Sequence, residues 1–203
     1  MAAGTLSNSD HTKGDNMKKT CAVASLLAMM LAVCSLCSAQ AKDAPKTVTS
    51  ILDSGIKSVE AEFVPAAEAM PEDKYGFAPT NGEFKGVRTF AQQVKHVAAV
   101  NYICASSILG EKPPVDLGGE NGPDGMKSKA DIVKFIKDSY VYAHKAAATV
   151  TAENATGEVQ TPFGKFTRMG MAILITAHSF DHYGQMAEYL RMNGIVPPAS
   201  RGQ

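Results

Sequence analysis

A chain of 203 residues holds one domain of ordinary size and is too short for two comfortable ones. Lys+Arg and Asp+Glu both number 20, so there is neither the basic excess that grips a nucleic-acid backbone nor the charge imbalance of a disordered chain. Apolar residues at 45% and charged residues at 20% are a globular balance that excludes collagenous, disordered and multi-span membrane classes; ten Met and no Trp leave much of the packing to Met and Ala.

Residues 21–37 are apolar apart from Ser25 and Ser35, preceded by Met17, Lys18 and Lys19 and followed by Ser38, Ala39, Gln40 and Ala41. This is the pattern of a secretory signal: a charged start, an apolar run and small residues for the peptidase. Cleavage is expected after Ala41, with Ala39 the alternative, and Met17 is a candidate true start because residues 1–16 add nothing to a signal. The competing reading is an uncleaved anchor, since the run is at the short end of what spans a bilayer. Lipidation is disfavoured, because Val33 before Cys34 and Leu36 before Cys37 are too large. The expectation is a leader over residues 1–41 and an exported domain, periplasmic or secreted, over residues 42–203, near neutral and without a membrane anchor. Of the four cysteines only Cys104 remains, so an intrachain disulfide is excluded.

From Val48 apolar residues recur at Ile51, Leu52, Ile56, Val59 and Phe63, a helical spacing that Pro65 and then Met70 and Pro71 are expected to kink or close. Residues 71–87, with Gly76, Pro79, Gly82 and Gly86, read as a long connection. Thr89 is the N-cap of a second helix to about Leu109, apolar nearly all round and therefore central. Residues 110–125, rich in glycine and proline, predict a surface loop. Ser128, with Asp131 three residues on, caps a third helix whose seam is Ile132, Ile136, Ser139, Ala143, Ala146 and Val150. Residues 153–164 read as a turn-rich link with a short extended piece around Val159, and no long alternating strand is found. A fourth helix from about Phe166 to Asn193 is stopped by Gly194, Pro197 and Pro198, with Met171, Leu174, Ile175, His178, His182, Met186 and Tyr189 on its inner face. The expected fold is all-α, an antiparallel four-helix bundle.

His178 and His182 stand at i and i+4 on an apolar stripe, so both imidazoles face one way, within reach of one metal ion. The alternative is a hydrogen-bonded core pair. His96, in the central helix, is the better third ligand; His144 stands beside its helix's seam and is expected to be satisfied by solvent or a backbone carbonyl. Three neutral imidazoles leave a coordination position open, as catalytic zinc-type sites do, and binding should weaken where free histidine protonates, at roughly pH 6 to 7. Asp181 is the one carboxylate placed nearby, a base or an orienting group if it is not merely solvated. Gln185 is a candidate outer donor, Cys104 is read as packed, and Arg191 as a partner of the carbonyls at its helix end. Asn154, Ala155 and Thr156 match a glycosylation sequon.

Two stretches carry a resemblance. Phe90-Ala-Gln-Gln-Val-Lys-His96-Val97, and His178-Ser-Phe-Asp-His182-Tyr-Gly-Gln185 continuing through Tyr189, Leu190 and Arg191 to Gly194 and Pro197, resemble the DinB-like superfamily; Met70 to Tyr75 with Pro79 is similar to the family's loop after the first helix. The resemblance covers about Val48 to Pro198. It implies a four-helix bundle with a divalent metal, often zinc or nickel, on His96, His178 and His182. Some members use thiols such as bacillithiol or mycothiol in transferase or isomerase reactions. The expectation is thus a metal-dependent enzyme acting on a small-molecule substrate or thiol by transfer, isomerisation or hydrolysis; the alternative is a non-catalytic metal-binding or partner-binding bundle. Nucleic acid is not an expected partner, and a homodimer is left open.

Overall fold

Thr47, Thr89, Ser128 and Thr167 each stand one residue before a helix, and each side-chain oxygen accepts from the backbone N–H three residues on, at 3.0 to 3.3 Å. These caps satisfy donors that have no partner inside the helix, so the starts are set locally by the sequence. The computed structural model describes Met1, residues 46–119 and residues 121–202. The chain divides into two units, Met1–Pro45 and Lys46–Gln203, and every element below is in the second. The leader expected over residues 1–41 lies outside the described residues, Met1 apart.

The described elements are α1 (Val48–Ala69), α2 (Phe90–Leu109), α3 (Lys129–Ala147), a hairpin of β1 (Glu158–Thr161) and β2 (Gly164–Thr167), and α4 (Arg168–Met192), with single 3-10 turns at Glu72–Lys74 and Pro198–Ser200. The all-α bundle is as expected. No residue of α2 is fully exposed, as its apolar circumference predicts, and the seam of α3 from Ile132 to Val150 is buried throughout. Among the described residues, no helix is long and apolar enough to cross a membrane.

Local details depart from the sequence reading. The first helix does not end at Pro65 but runs on to Ala69 and closes at Met70, as the Met70 and Pro71 pair predicts. Phe63, Ala66, Ala67 and Met70, on both sides of the proline, are fully buried, and their packing offsets the lost hydrogen bond. Ile51 points outward, so the inner stripe is Leu52, Ile56, Val59 and Phe63. The extended piece around Val159 is one arm of a hairpin, in which Val159 pairs with Phe166 and Glu158 with Thr167. Phe166 therefore belongs to a strand and α4 starts at Arg168. Four residues per strand are too few for alternation to register in the sequence.

Helix directions follow from cross-contacts. Thr49 of α1 donates to the carbonyl of Val150 just after α3, while Glu68 at the far end of α1 pairs with Lys137, so α1 and α3 are antiparallel. Gln93 meets Gln185 and the Ile108 carbonyl accepts from Arg168, so α2 and α4 are antiparallel too. Asn101 with Ser139 and Ser106 with Tyr142 show α2 and α3 running side by side in the same direction. Gly55 against Thr176 and Glu62 against Tyr183 show the same for α1 and α4. The bundle is two antiparallel pairs laid together, with α1 and α2 on one diagonal and α3 and α4 on the other.

Because α2 and α3 are parallel neighbours, residues 110–128 must return along α2, whose twenty residues span about 30 Å. The loop is tied down where it arrives. Lys95, buried in α2, donates through Nζ to the Pro123 carbonyl at 2.8 Å, and Arg88 donates through Nε to Asn121 Oδ1 at 2.9 Å. Gly122 sits between these ties at φ +72°, and a Cβ there would lie 2.5 Å from the Lys95 Cβ.

Candidate metal centre

The antiparallel pairing of α2 and α4 places His96 opposite the first turn of the His178/His182 pair. Ring centroids are 4.5 Å apart for His178 and His182, 5.0 Å for His96 and His178, and 4.8 Å for His96 and His182. Each ring offers one nitrogen, all three within 4.8 Å of one another, with the Nε2 atoms of His96 and His178 at 3.1 Å. His182 is buried and the other two are half-buried. Among the described residues this is the one cluster of metal-ligating side chains so arranged.

Burial, then the neighbouring rings of His182 and His96, pull the His178 imidazole down to about 3. Burial, then His96 and the Arg88 cation, pull His182 down to about 4. Both are neutral at ordinary pH, the form that ligates metal. Protons therefore compete for them at lower pH than the range of free histidine expected from sequence. The His178 Nδ1 is buried without a hydrogen-bond partner, which a folded protein leaves rarely. Three imidazoles converging from two helices, two of them held neutral, are a donor set able to hold one metal ion.

His182 Nδ1 lies 2.5 Å from Gln93 Oε1, a residue that the sequence analysis passed over. Gln93 is 2% exposed and reaches across to Gln185 at 2.9 Å, and Gln185 reaches Asp181 at 3.2 Å. Asp181 is exposed; its hydrogen-bonded link to the site runs through the two glutamines, and its charge also acts on His178, opposing the downward shift there. Arg88 was also missed. The signal that could have found Gln93 is its place three residues before His96, on the neighbouring turn of the same helix.

His144 is not in the cluster, as expected, but its partners differ from those expected. Its Nδ1 meets Asp53 at 2.6 Å and its Nε2 meets Glu60 at 3.0 Å, both on α1, in place of solvent or a carbonyl. Cys104 is fully buried, and burial pushes its thiol up to about 12, which suits packing and not ligation. Arg191 reaches Glu188 and Ser200 and not the carbonyls at its helix end. The Asn154 side chain closes its own turn, donating to the Thr149 carbonyl and accepting from the Thr151 N–H.

The sequence profile of the DinB superfamily matches residues 56–186, a span that contains His96, His178 and His182. A crystal structure of a DinB-like protein from Bacillus cereus ATCC 10987 superposes with a TM-score of 0.57 at 16% identity, covering 75% of this chain and 96% of that one. An uncharacterised protein from Escherichia coli UTI89 superposes with a TM-score of 0.54 at 16% identity, covering 74% and 96%. No curated protein matches the sequence.

Proposed function

Because the chain belongs to the DinB superfamily, we propose that it is an exported metal-dependent enzyme that holds one divalent ion, zinc or nickel, on His96, His178 and His182. The observation that carries the reading is the convergence of three imidazole nitrogens from two helices, two of them held neutral by burial. Bound there, the metal would supply acidity, lowering the pKa of a coordinated water or thiol until it is a nucleophile near neutral pH. The protein residues do the rest. His178 and His182 are fixed at helical spacing on one face, and His96 closes the set from the opposite helix, so the three donors are already brought together by the packing of two helices. We place the reaction among thiol-dependent transfers or isomerisations, with hydrolysis next. Export rests on the residue pattern 17–41.

The test is the metal content of protein purified under metal-replete conditions, for wild type and four alanine variants. His96→Ala, His178→Ala and His182→Ala should each abolish stoichiometric metal, whereas His144→Ala should keep it, losing the contacts to Asp53 and Glu60. A wild type that purifies folded without metal, or four variants that retain it equally, would make the histidines core residues and end the enzyme reading.

A further inference from the structure

We propose that Gln185 and Gln93 form a one-way hydrogen-bond relay from the Asp181 carboxylate to His182, fixing His182 as its Nδ1–H tautomer so that its Nε2 lone pair faces the metal position. The proposal rests on the metal reading above and adds to it the residues that orient one ligand.

The direction follows from the one end that cannot be reversed. A carboxylate accepts and cannot donate, so Gln185 must turn Nε2 toward Asp181 Oδ2 at 3.2 Å. Its Oε1 then faces α2, and Gln93 must answer with Nε2, at 2.9 Å. That leaves Gln93 Oε1 toward His182 Nδ1, at 2.5 Å. An amide oxygen only accepts, so Nδ1 carries the hydrogen. A neutral imidazole has a single N–H, and Nε2 is left with the lone pair. Turning both amides over would set Gln185 Oε1 against Asp181 Oδ2 with no hydrogen between them. Asp181, outside the cluster, therefore decides which nitrogen of His182 is the donor atom.

The relay is graded by burial. Gln93 is shielded, and no water replaces its acceptor; Gln185 and Asp181 are exposed, and water competes with both. Loss at Gln93 should be felt most and loss at Asp181 least. These are positioning residues, since none lies within the histidine set itself.

Nitrogen-15 NMR of the imidazoles in metal-free protein reads the tautomer directly, and a titration with zinc alone reads affinity. Wild-type His182 should show a protonated Nδ1. Gln93→Leu should give mixed tautomers and weaken zinc by roughly 10- to 100-fold, the usual effect of removing a group that orients a ligating histidine. Gln93→Glu keeps an acceptor toward His182 and should retain the Nδ1–H signal. Gln185→Met, at an exposed site that cannot unfold the bundle, should move the tautomer signal in the same direction by less, and it carries the test if Gln93→Leu does not fold. Protonation at Nε2 in the wild type, or a folded Gln93→Leu with unchanged tautomer and affinity, overturns the relay. A wild type that binds no zinc defeats the metal reading, and the tautomer signal still decides the relay.

Discussion

His144 and His178 are the same side chain in opposite settings. Both nitrogens of His144 meet carboxylates, whereas His178 has neighbouring rings on one side and an unpartnered nitrogen on the other. The second setting favours the neutral ring, with a consequence for stability. His178 and His182 are held near 3 and 4 in the folded protein, below their ordinary 6.5. Below about pH 6.5 the unfolded chain therefore takes up protons that the folded chain refuses. Their contribution to stability is complete above that pH and is lost progressively as pH falls through about 4 for His182 and about 3 for His178. Denaturant midpoints of metal-free protein should decline across this window; a midpoint constant from about pH 7 to about pH 4 would contradict the buried neutral pair. His178 and His182 were legible in sequence because one helical turn separates them, and His96 because its helix reads as central. Gln93 was not, since its partners Gln185 and His182 lie 92 and 89 positions away and only the packing of α2 on α4 brings them close.

At the level of elements, the sequence specifies capped helix starts and glycine-marked helix ends, such as Leu109 before Gly110 and Met192 just before Asn193 and Gly194, better than it specifies connections. Thr89 and Ser128 are recognisable caps, with the hydroxyl and the side chain three residues on both in place. Pro65 misleads because a local rule meets four fully buried neighbours, and burial prevails. The hairpin escapes because it holds only four residue pairs. The return loop 110–128 is legible as irregular, but its fixing by Lys95 is not, since a buried lysine that bonds backbone carbonyls leaves no pattern in the residues it bonds. Its conformation is nonetheless tightly specified at Gly122. Gly122→Ala would combine a positive φ with a Cβ contact of 2.5 Å against Lys95, and the loop would have to shift. We expect a loss of about 1–3 kcal/mol, the scale of strain at such a backbone position, measured by chemical denaturation at neutral pH. An unchanged midpoint would mean that the loop moves freely relative to α2.

For the molecule as a whole, the bundle class was legible from four apolar stripes, while the order of helices around it was not, because stripes say that a face is buried and nothing about which partner buries it. That order has kinetic consequences. In α1 followed by α2, and α3 followed by α4, consecutive helices lie across diagonals, and the consecutive neighbours α2 and α3 run parallel through a long return. No two successive helices can therefore zip together as a short antiparallel hairpin, the cheapest folding nucleus open to a helical chain. The antiparallel pairs join α1 to α3 and α2 to α4, and loop closure must come before either of them gains stability. This protein should fold more slowly than an up-down-up-down bundle of equal length, and its mean contact separation should sit above the helical range of about 0.07–0.12. Fragments spanning α1 with α2, or α3 with α4, should be largely unstructured by circular dichroism, while only chains that carry all four helices regain the native signal; a stable two-helix fragment would refute this. The same wiring leaves a chain interrupted before α4 with α1 and α2 each short of one of their two neighbours, while α3 is already present to pack on both.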